Sequence, residues 1–486
     1  VNIADDGTLT WSASDLYTST SCEFALLRAV DVLEGRLPQP EFAIDLMIER
    51  TRTLGDVHEQ RVLAQYRDQF GSGVVEIPRP GKGTGVTRAD AVATTQAALT
   101  SGADVVFQAA FHSSDEATAT EFVGYADFIV RQPSGTYRAE DTKLARHAKV
   151  IALLQLAAYA EQLELLGIPT DDTLTIILGT GERSDHPYAD ILPVLQVQRE
   201  RLFALVAERR AEGAAANAPV AWGDDRYSIC GNCDWCKQEI AATGDTRGVA
   251  GMTLAQRTKL RGTGVTTIAE LASSVGPVKG IGGPTLERLR AQARLHLTPG
   301  TDAAPAYEVV DASALGAIPE PSPGDIFFDF EGDPLYEESG IWGLDYLWGW
   351  VDAEGEFRCL WAHDFAGERE ALTAFLAMIA ERRADHPGMH IYHYASYERT
   401  HLHAIAARWG VGEHEVDTLL RDQVLVDLYP IVKKSLLVGA ASYSIKKLEP
   451  LYMGDEHRQG VDNAGDSMVE YASACELRDA GDEAGF

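Results

Sequence analysis

The chain has 486 residues, 45% of them apolar, with a formal net charge of -31 and six cysteines. That length exceeds one ordinary core and points to two to four domains. No run of about 18 apolar residues offers a membrane span, and Val1-Asn-Ile-Ala-Asp-Asp-Gly has neither the basic nor the apolar stretch of a secretion signal. So acidic a chain excludes coating of nucleic acid by bulk attraction, but not a local basic groove. Six cysteines in this length do not make a disulfide framework, and a cytoplasmic location is expected.

Composition divides the chain into 1–245, which mixes helices and strands, a glycine-punctuated helical stretch at 246–299, and a second alternation of strands and helices at 300–486. The last is entered through the linker Thr298-Pro-Gly-Thr-Asp-Ala-Ala-Pro305. Residues 44–70 read as a long amphipathic helix carrying His58-Glu59. Residues 121–130 read as a strand, Gln132-Pro-Ser-Gly135 as a turn, and 137–143 as the next strand. A helix is expected over 150–166, ended by Gly167 and Pro169, then a strand over 174–179, then strand followed by helix over 191–210. In the middle stretch, Thr253-x-x-Gln256 and Thr267-x-x-Glu270 read as capping boxes. Val278-Lys-Gly280-Ile-Gly282-Gly-Pro284 reads as a tight turn ahead of a helix, with backbone N–H groups that can receive a phosphate. Further on, Ile326-Phe-Phe-Asp329-Phe-Glu331 is an apolar strand ending in two carboxylates. Residues 389–398 run from strand into helix, and Val424-Leu-Val-Asp427 is another acidic strand end. Basic clusters at 143–149, 257–261, 288–294 and 446–447 read as solvated faces or local nucleic-acid surface.

Side chains two apart on a strand share a face, so Asp141 and Lys143 do, Glu140 points away, and Asp127 sits on the neighbouring strand. Two carboxylates can hold a hard cation such as Mg2+ or Mn2+, and the lysine can stabilise charge building on a phosphate. Gln155 and Tyr159 lie four apart, on one face of the following helix. Cys230-Gly-Asn-Cys233-Asp-Trp-Cys236 brings three thiols together, with Cys22 far upstream. Four thiolates suit Zn2+ or a [4Fe-4S] cluster, and spacing alone does not decide between them. Cys359 and Cys475 read as packed thiols.

The series Gly55-x-x-His58, Gly-Tyr-Ala-Asp127, Asp141-x-Lys143 and Gln155-x-x-x-Tyr159 resembles the RecB-like branch of the PD-(D/E)XK nucleases. That resemblance implies a restriction-endonuclease-like core with a mixed sheet and a metal held by His58, Asp127, Asp141 and the carbonyl of Thr142. Lys143 would be the catalytic lysine, and Gln155 and Tyr159 would orient DNA or the lysine. One cysteine before and three after that core resemble the iron–sulfur members, whose cluster staples the two ends of the domain; Zn2+ is the alternative. Residues 246–299 look like a helix-hairpin-helix. Asp329 and Glu331, with Glu398 where the family has aspartate, resemble the first motifs of the DEDD exonucleases of RNase H-like fold. No fourth acidic motif is found, and Asp427 stands beside that set.

These resemblances imply an α/β multidomain chain: a nuclease domain at 1–245, a helix-hairpin-helix region at 246–299, and an RNase H-like domain at 300–486 that is cut short within a longer protein. The expected function is metal-dependent hydrolysis of DNA, at single strands or ends, in repair or recombination, with DNA and a helicase domain or subunit as partners. The alternatives are a noncatalytic nucleic-acid-binding scaffold, and an exonuclease, on RNA as well as DNA, acting through Asp329, Glu331 and Glu398.

Overall fold

A computed structural model of the chain describes residues 1–4, 6–42, 45–81, 83–300, 304–453, 464–479 and 481. The chain is mixed α/β and divides into two units, Val1–Gln238 and Glu239–Phe486.

In the first unit, strands β1 (Asn2–Ile3) and β2 (Leu9–Trp11) lead into helices α1 (Ala13–Ser21), α2 (Glu23–Leu33) and the long α3 (Leu46–Phe70). Strand β3 (Val74–Glu76), α4 (Arg88–Ser101), β4 (Val105–Asp115), β5 (Thr120–Arg131) and β6 (Tyr137–Lys143) follow. Then come α5 (Val150–Leu165), β7 (Thr173–Leu178), β8 (Arg183–Pro187), α6 (Tyr188–Ala216) and α7 (Asp234–Thr243), within which the boundary between the units falls.

The eight strands form one mixed sheet in which β5 has a divided edge. β4 runs antiparallel along one side of β5. On the other side, Thr120–Phe122 pairs in parallel with β2, and Phe128–Arg131 pairs antiparallel with β6. The ladder on that side is therefore interrupted between Phe122 and Phe128. Beyond the split, Glu140–Lys143 of β6 pairs in parallel with β7.

Helix α3 begins where Asp45 accepts the N–H groups of Met47 and Ile48; Ile44, at the predicted start, lies outside the described residues. It buries His58, Val62, Leu63 and Tyr66 on one stripe. The last three pack on Val105, Phe107, Phe128, Val130 and Ile177 of the sheet. Residues 191–210, expected as strand then helix, are helical throughout within α6. The β-branched Val194 and Val197 that suggest a strand are exposed, while Leu195, Leu202, Leu205 and Val206 are buried at helical spacing.

In the second unit, α8 (Leu254–Arg261), α9 (Ile268–Ser273) and α10 (Gly283–Leu297) close around Met252, Leu260, Leu271, Leu286 and Ala293. Both capping boxes form. After β9 (Tyr307–Val309) come β10 (Ile326–Glu338), β11 (Ile341–Asp352), β12 (Phe357–Trp361), α11 (Phe365–Asp385), β13 (Ile391–His393) and α12 (Tyr397–Trp409). These are followed by α13 (Glu413–Arg421), β14 (Leu425–Asp427), α14 (Leu428–Ser435), β15 (Leu436–Val438), α15 (Ile445–Leu448) and α16 (Ala464–Asp479). The main sheet has the order β12-β11-β10-β13-β14, antiparallel through β10 and parallel beyond it. Strand β10 does not end at Glu331: it bulges between Glu331 and Gly332 and runs on beside β11 to Glu338. Its pairing with β13 covers only Ile326 and Phe327. The last helix, α16, is anchored by Tyr471, which stacks on Tyr346 with ring centroids 3.8 Å apart. Among the described residues no helix is long and apolar enough to cross a membrane.

Two of the basic clusters are largely spent on structure. Arg257 makes a buried two-point pair with Asp245 at 2.8 and 2.7 Å. Arg290 donates to Ser274 Oγ and the Gly276 carbonyl, and Arg288 to the Leu436 carbonyl and Tyr443 hydroxyl.

The first unit is tied at its ends by the fully buried Asp31 on α2, whose carboxylate accepts from Arg36 Nε, Arg209 Nε and the Val220 amide, each at 2.7 Å. Removing one partner of such a group strands buried cations. Asp31→Ala is expected to cost about 3–5 kcal/mol in urea unfolding; a loss under about 1 kcal/mol would show that the pairing carries no weight.

Candidate functional site

The interrupted edge of β5 is where Asp127, Asp141 and Lys143 meet. Asp127 is the last residue before β5 joins β6, and the first paired residues beyond it are Phe128 and Glu140. In place of a ladder bond, the Asp127 carboxylate accepts from both the amide and the hydroxyl of Thr142, at 3.2 Å each. On the β4 side, the pairing passes from Phe107–Phe128 to Ala109–Ala126, and Gln108 takes a positive φ of 57° at the position between. The sheet is thus distorted on both sides of Asp127, which leaves its side chain to the site rather than to a regular pleat.

Asp141 is almost fully buried, and beyond its contact with Lys143 no backbone amide or neutral side chain among the described residues donates to its carboxylate oxygens. Its counter-charge is Lys143, with Nζ 2.5 Å from Oδ2. Burial raises the Asp141 pKa well above the usual carboxylate range, and the neighbouring Asp127 adds to this; Lys143 opposes both. Burial pulls Lys143 down, but the charges of Asp141 and Asp127 outweigh it and leave the ammonium harder to deprotonate than usual. Two close carboxylates, one of them buried and countered by a single lysine, fit a divalent cation, which would relieve the strain that burial imposes. Glu140 points elsewhere, to the Tyr66 hydroxyl at 2.5 Å and to Arg183.

His58 is buried on α3 with Nε2 3.2 Å from the Ile177 carbonyl. It is not drawn to ligand spacing with Asp127 and Asp141: among the described residues, the four cysteines form the group of metal-ligand donors gathered within 4.8 Å. Its neighbour Glu59 is coupled to the site instead. Burial, then the charge of Asp127, pushes Glu59 up to about 7. Gln108 donates to Glu59 at 2.6 Å and accepts from Arg79. The sequence shows Glu59 only as the neighbour of His58, and nothing in it marks Gln108, whose part depends on its backbone conformation.

Gln155 and Tyr159 lie together on α5, with Gln155 Nε2 3.3 Å from the Tyr159 hydroxyl. The Tyr159 ring sits over Gly124: a β-carbon there would meet the ring at 2.6 Å, which is why Gly precedes Tyr-Ala-Asp127. Burial raises the Tyr159 pKa, and Asp127 and Asp141 contribute, so the hydroxyl stays protonated. A cleft of about 510 Å³ opens beside them, lined in part by Trp11, Arg88, Tyr125, Gln155 and Tyr159.

Cys22, at the α1–α2 junction, meets Cys230, Cys233 and Cys236 from the other end of the first unit. Backbone bonds bring the ends together, Phe24 N–H donating to the Ser228 carbonyl and Ser228 N–H to the Glu23 carboxylate. The thiols of Cys233 and Cys236 pull the Cys22 pKa down to about 4, while the bond to Cys22 pushes Cys236 up. Four convergent unbridged thiols are a donor set of the kind that holds zinc or an iron–sulfur cluster.

In the second unit, Asp329 and Glu331 lie on β10 beyond its short pairing with β13. Glu398, in the first turn of α12, bonds Asp329 and lies 3.2 Å from His393 Nδ1. Burial, the bond and charge of Glu398, and the charge of Glu331 push Asp329 up to about 7. The approach to α12 is held by Asp427, which accepts from the Ala395 and Tyr429 amides, with Ala395 at a φ of 76°. Sequence reasoning missed Asp345, which accepts from Tyr397 at 3.1 Å and lies 2.7 Å from His401 Nδ1. It reaches them from β11, opposite Gly332, a long-range pairing with no local signature.

Residues 326–479 match the RNase_H superfamily, so the second unit contains an RNase H-like domain. A solved structure, the "Putative exonuclease" from Eubacterium rectale, is similar at 13% identity over 47% of this chain and 86% of that one, with a TM-score of 0.24. No curated protein matches the chain.

The raised Asp329 pKa sets the direction of a pH effect. Its folded value of about 7 exceeds the ordinary 3.8, so ionisation costs the fold stability as pH rises from about 4 to about 7. In chelator, Asp329→Asn is expected to raise the melting temperature at pH 8 and to have much less effect at pH 4. An equal effect at both would contradict the burial and crowding argument.

Proposed function

We propose that the chain is a metal-dependent nuclease that hydrolyses phosphodiester bonds in DNA, at single strands or free ends, with its chemistry at Asp127, Asp141 and Lys143. The observation that carries this is the buried Asp141 carboxylate, crowded by the Asp127 carboxylate and paired with Lys143 alone. The fold is then a restriction-endonuclease-like core. Asp127 and Asp141 would hold Mg2+ or Mn2+, with His58 and the Thr142 carbonyl as further candidates. When bound, the ion would polarise the phosphoryl group and acidify water. Thr142 fixes the Asp127 carboxylate through two hydrogen bonds. Lys143, kept cationic by Asp141 and Asp127, is suited to stabilising negative charge on the phosphate and not to taking a proton. Gln155 and the protonated Tyr159 offer donors beside the cleft for orienting a strand.

The four cysteines are read as a structural metal centre. The turn at Gly280, with a φ of 83°, and the exposed start of α10 are read as a helix-hairpin-helix contact to the phosphate backbone. Repair or recombination is the setting such an activity suits. A helicase is the class of enzyme whose product, single-stranded DNA, this site would consume.

A second reading places an exonuclease at Asp329, Glu331 and Glu398, favoured by the RNase H-like match. Carboxylates in that arrangement would hold divalent ions for displacement at phosphorus.

Cleavage of single-stranded and duplex DNA with Mg2+ or Mn2+ separates the readings. Asp141→Ala and Lys143→Ala are each expected to lower the rate by at least about 100-fold, the scale of losing a charge-stabilising group, with Asp329→Ala near wild type. The reverse pattern moves the chemistry to the second unit. Absence of any metal-dependent cleavage by the wild type leaves a noncatalytic scaffold.

A further inference from the structure

We propose that the four cysteines hold a single tetrahedral zinc ion rather than a [4Fe-4S] cluster; this rests on reading them as a metal centre. The argument is one of size. Cys22 and Cys236 place their sulfurs 3.6 Å apart, Cys230 and Cys236 3.9 Å, and Cys22 and Cys233 3.9 Å, and all four sulfurs lie within 4.8 Å of one another. Four thiolates bound to one zinc at about 2.3 Å stand about 3.8 Å from each other. In a cubane each thiolate binds a different iron at its own corner, so the width of the cluster separates the sulfurs. The observed spacing is that of ligands sharing one ion.

The local backbone agrees. The Asn232 and Cys233 amides donate to Cys230 Sγ at 3.4 and 3.2 Å, so the Cys230-x-x-Cys233 loop folds back on its own first sulfur. Three residues on, in the first turn of α7, Cys236 returns its sulfur to the same point. The short span from Cys233 to Cys236 keeps these sulfurs close. Cys22 completes the set as the residue preceding α2, held by the bond from Phe24 N–H to the Ser228 carbonyl. Cys22 and Cys236 are buried, as suits a closed structural site with no open coordination position.

The test is metal and acid-labile sulfide analysis of the full chain purified without oxygen from cells supplied with both iron and zinc, alongside Cys233→Ser. One zinc per chain, no sulfide, a colourless protein, and loss of the zinc in Cys233→Ser are expected. Exchange of the zinc for Co2+ should give the intense visible bands of a tetrahedral thiolate site. About four irons and four sulfides per chain with a brown colour would overturn the zinc assignment while leaving the metal-centre reading intact. Substoichiometric metal of every kind, with all four thiols reacting freely with a thiol reagent in the folded protein, would overturn both. Nuclease assays on the same preparations report separately on Asp141, because zinc content does not depend on whether cleavage occurs.

Discussion

Charge that is buried has to be balanced, and the site in the first unit is arranged around that demand. Asp141 is shut off from water, and its neighbour across the strand gap is another carboxylate. Lys143 answers part of the charge and cannot answer all of it. The remainder is the charge that the proposed divalent ion would balance. The same arithmetic recurs at Asp329, crowded by Glu398 and Glu331. By contrast Asp31, equally buried, is satisfied by two arginines and an amide, and it serves the fold.

Both candidate sites sit where a β-ladder stops. β5 loses its neighbour between β2 and β6, and β10 loses β13 after Phe327. A paired strand edge is filled with backbone hydrogen bonds. An unpaired stretch inside a sheet has room for side chains, and the flanking pairs hold it still. The carboxylates are therefore placed by rigid strands, with Asp141 buried and the Lys143 side chain reaching it from a more exposed position.

Much of this was legible in the sequence because it is local. The strand at Tyr137–Lys143 followed from its turn, the helix at Val150–Leu165 from its glycine and proline stop, and the two capping boxes from their spacing. The four thiols were found from their number and close spacing, without any view of how the chain returns to Cys22. What was not legible depends on distant partners. The break in the β5 edge exists because residues 9–11 occupy one end of it. Asp345 reaches Tyr397 and His401 only through the β10–β11 register. Helix α16 was not expected, because what anchors it is Tyr471 on Tyr346, a contact between residues far apart. The misreading of α6 had a different cause: Val194 and Val197 favour strands locally, but the buried leucines dictate the period. The arginines near 257 and 288 looked available for a polyanion and turned out to bind carboxylates and carbonyls of the protein itself.

The closing of the first unit by its cysteines also has a meaning in time. Cys22 and Cys236 are 214 positions apart, so the second thiol is translated long after the first. Every strand of the sheet, and with them Asp127, Asp141 and Lys143, leaves the ribosome before the last thiol does. During that interval α1 and α2 lack the segment that anchors them, and Cys22 is an unpartnered thiol on a nascent chain. The four thiols therefore cannot come together until residue 236 has been made, and a chain interrupted before it would carry all the carboxylates of the site without the last of the cysteines that meet Cys22.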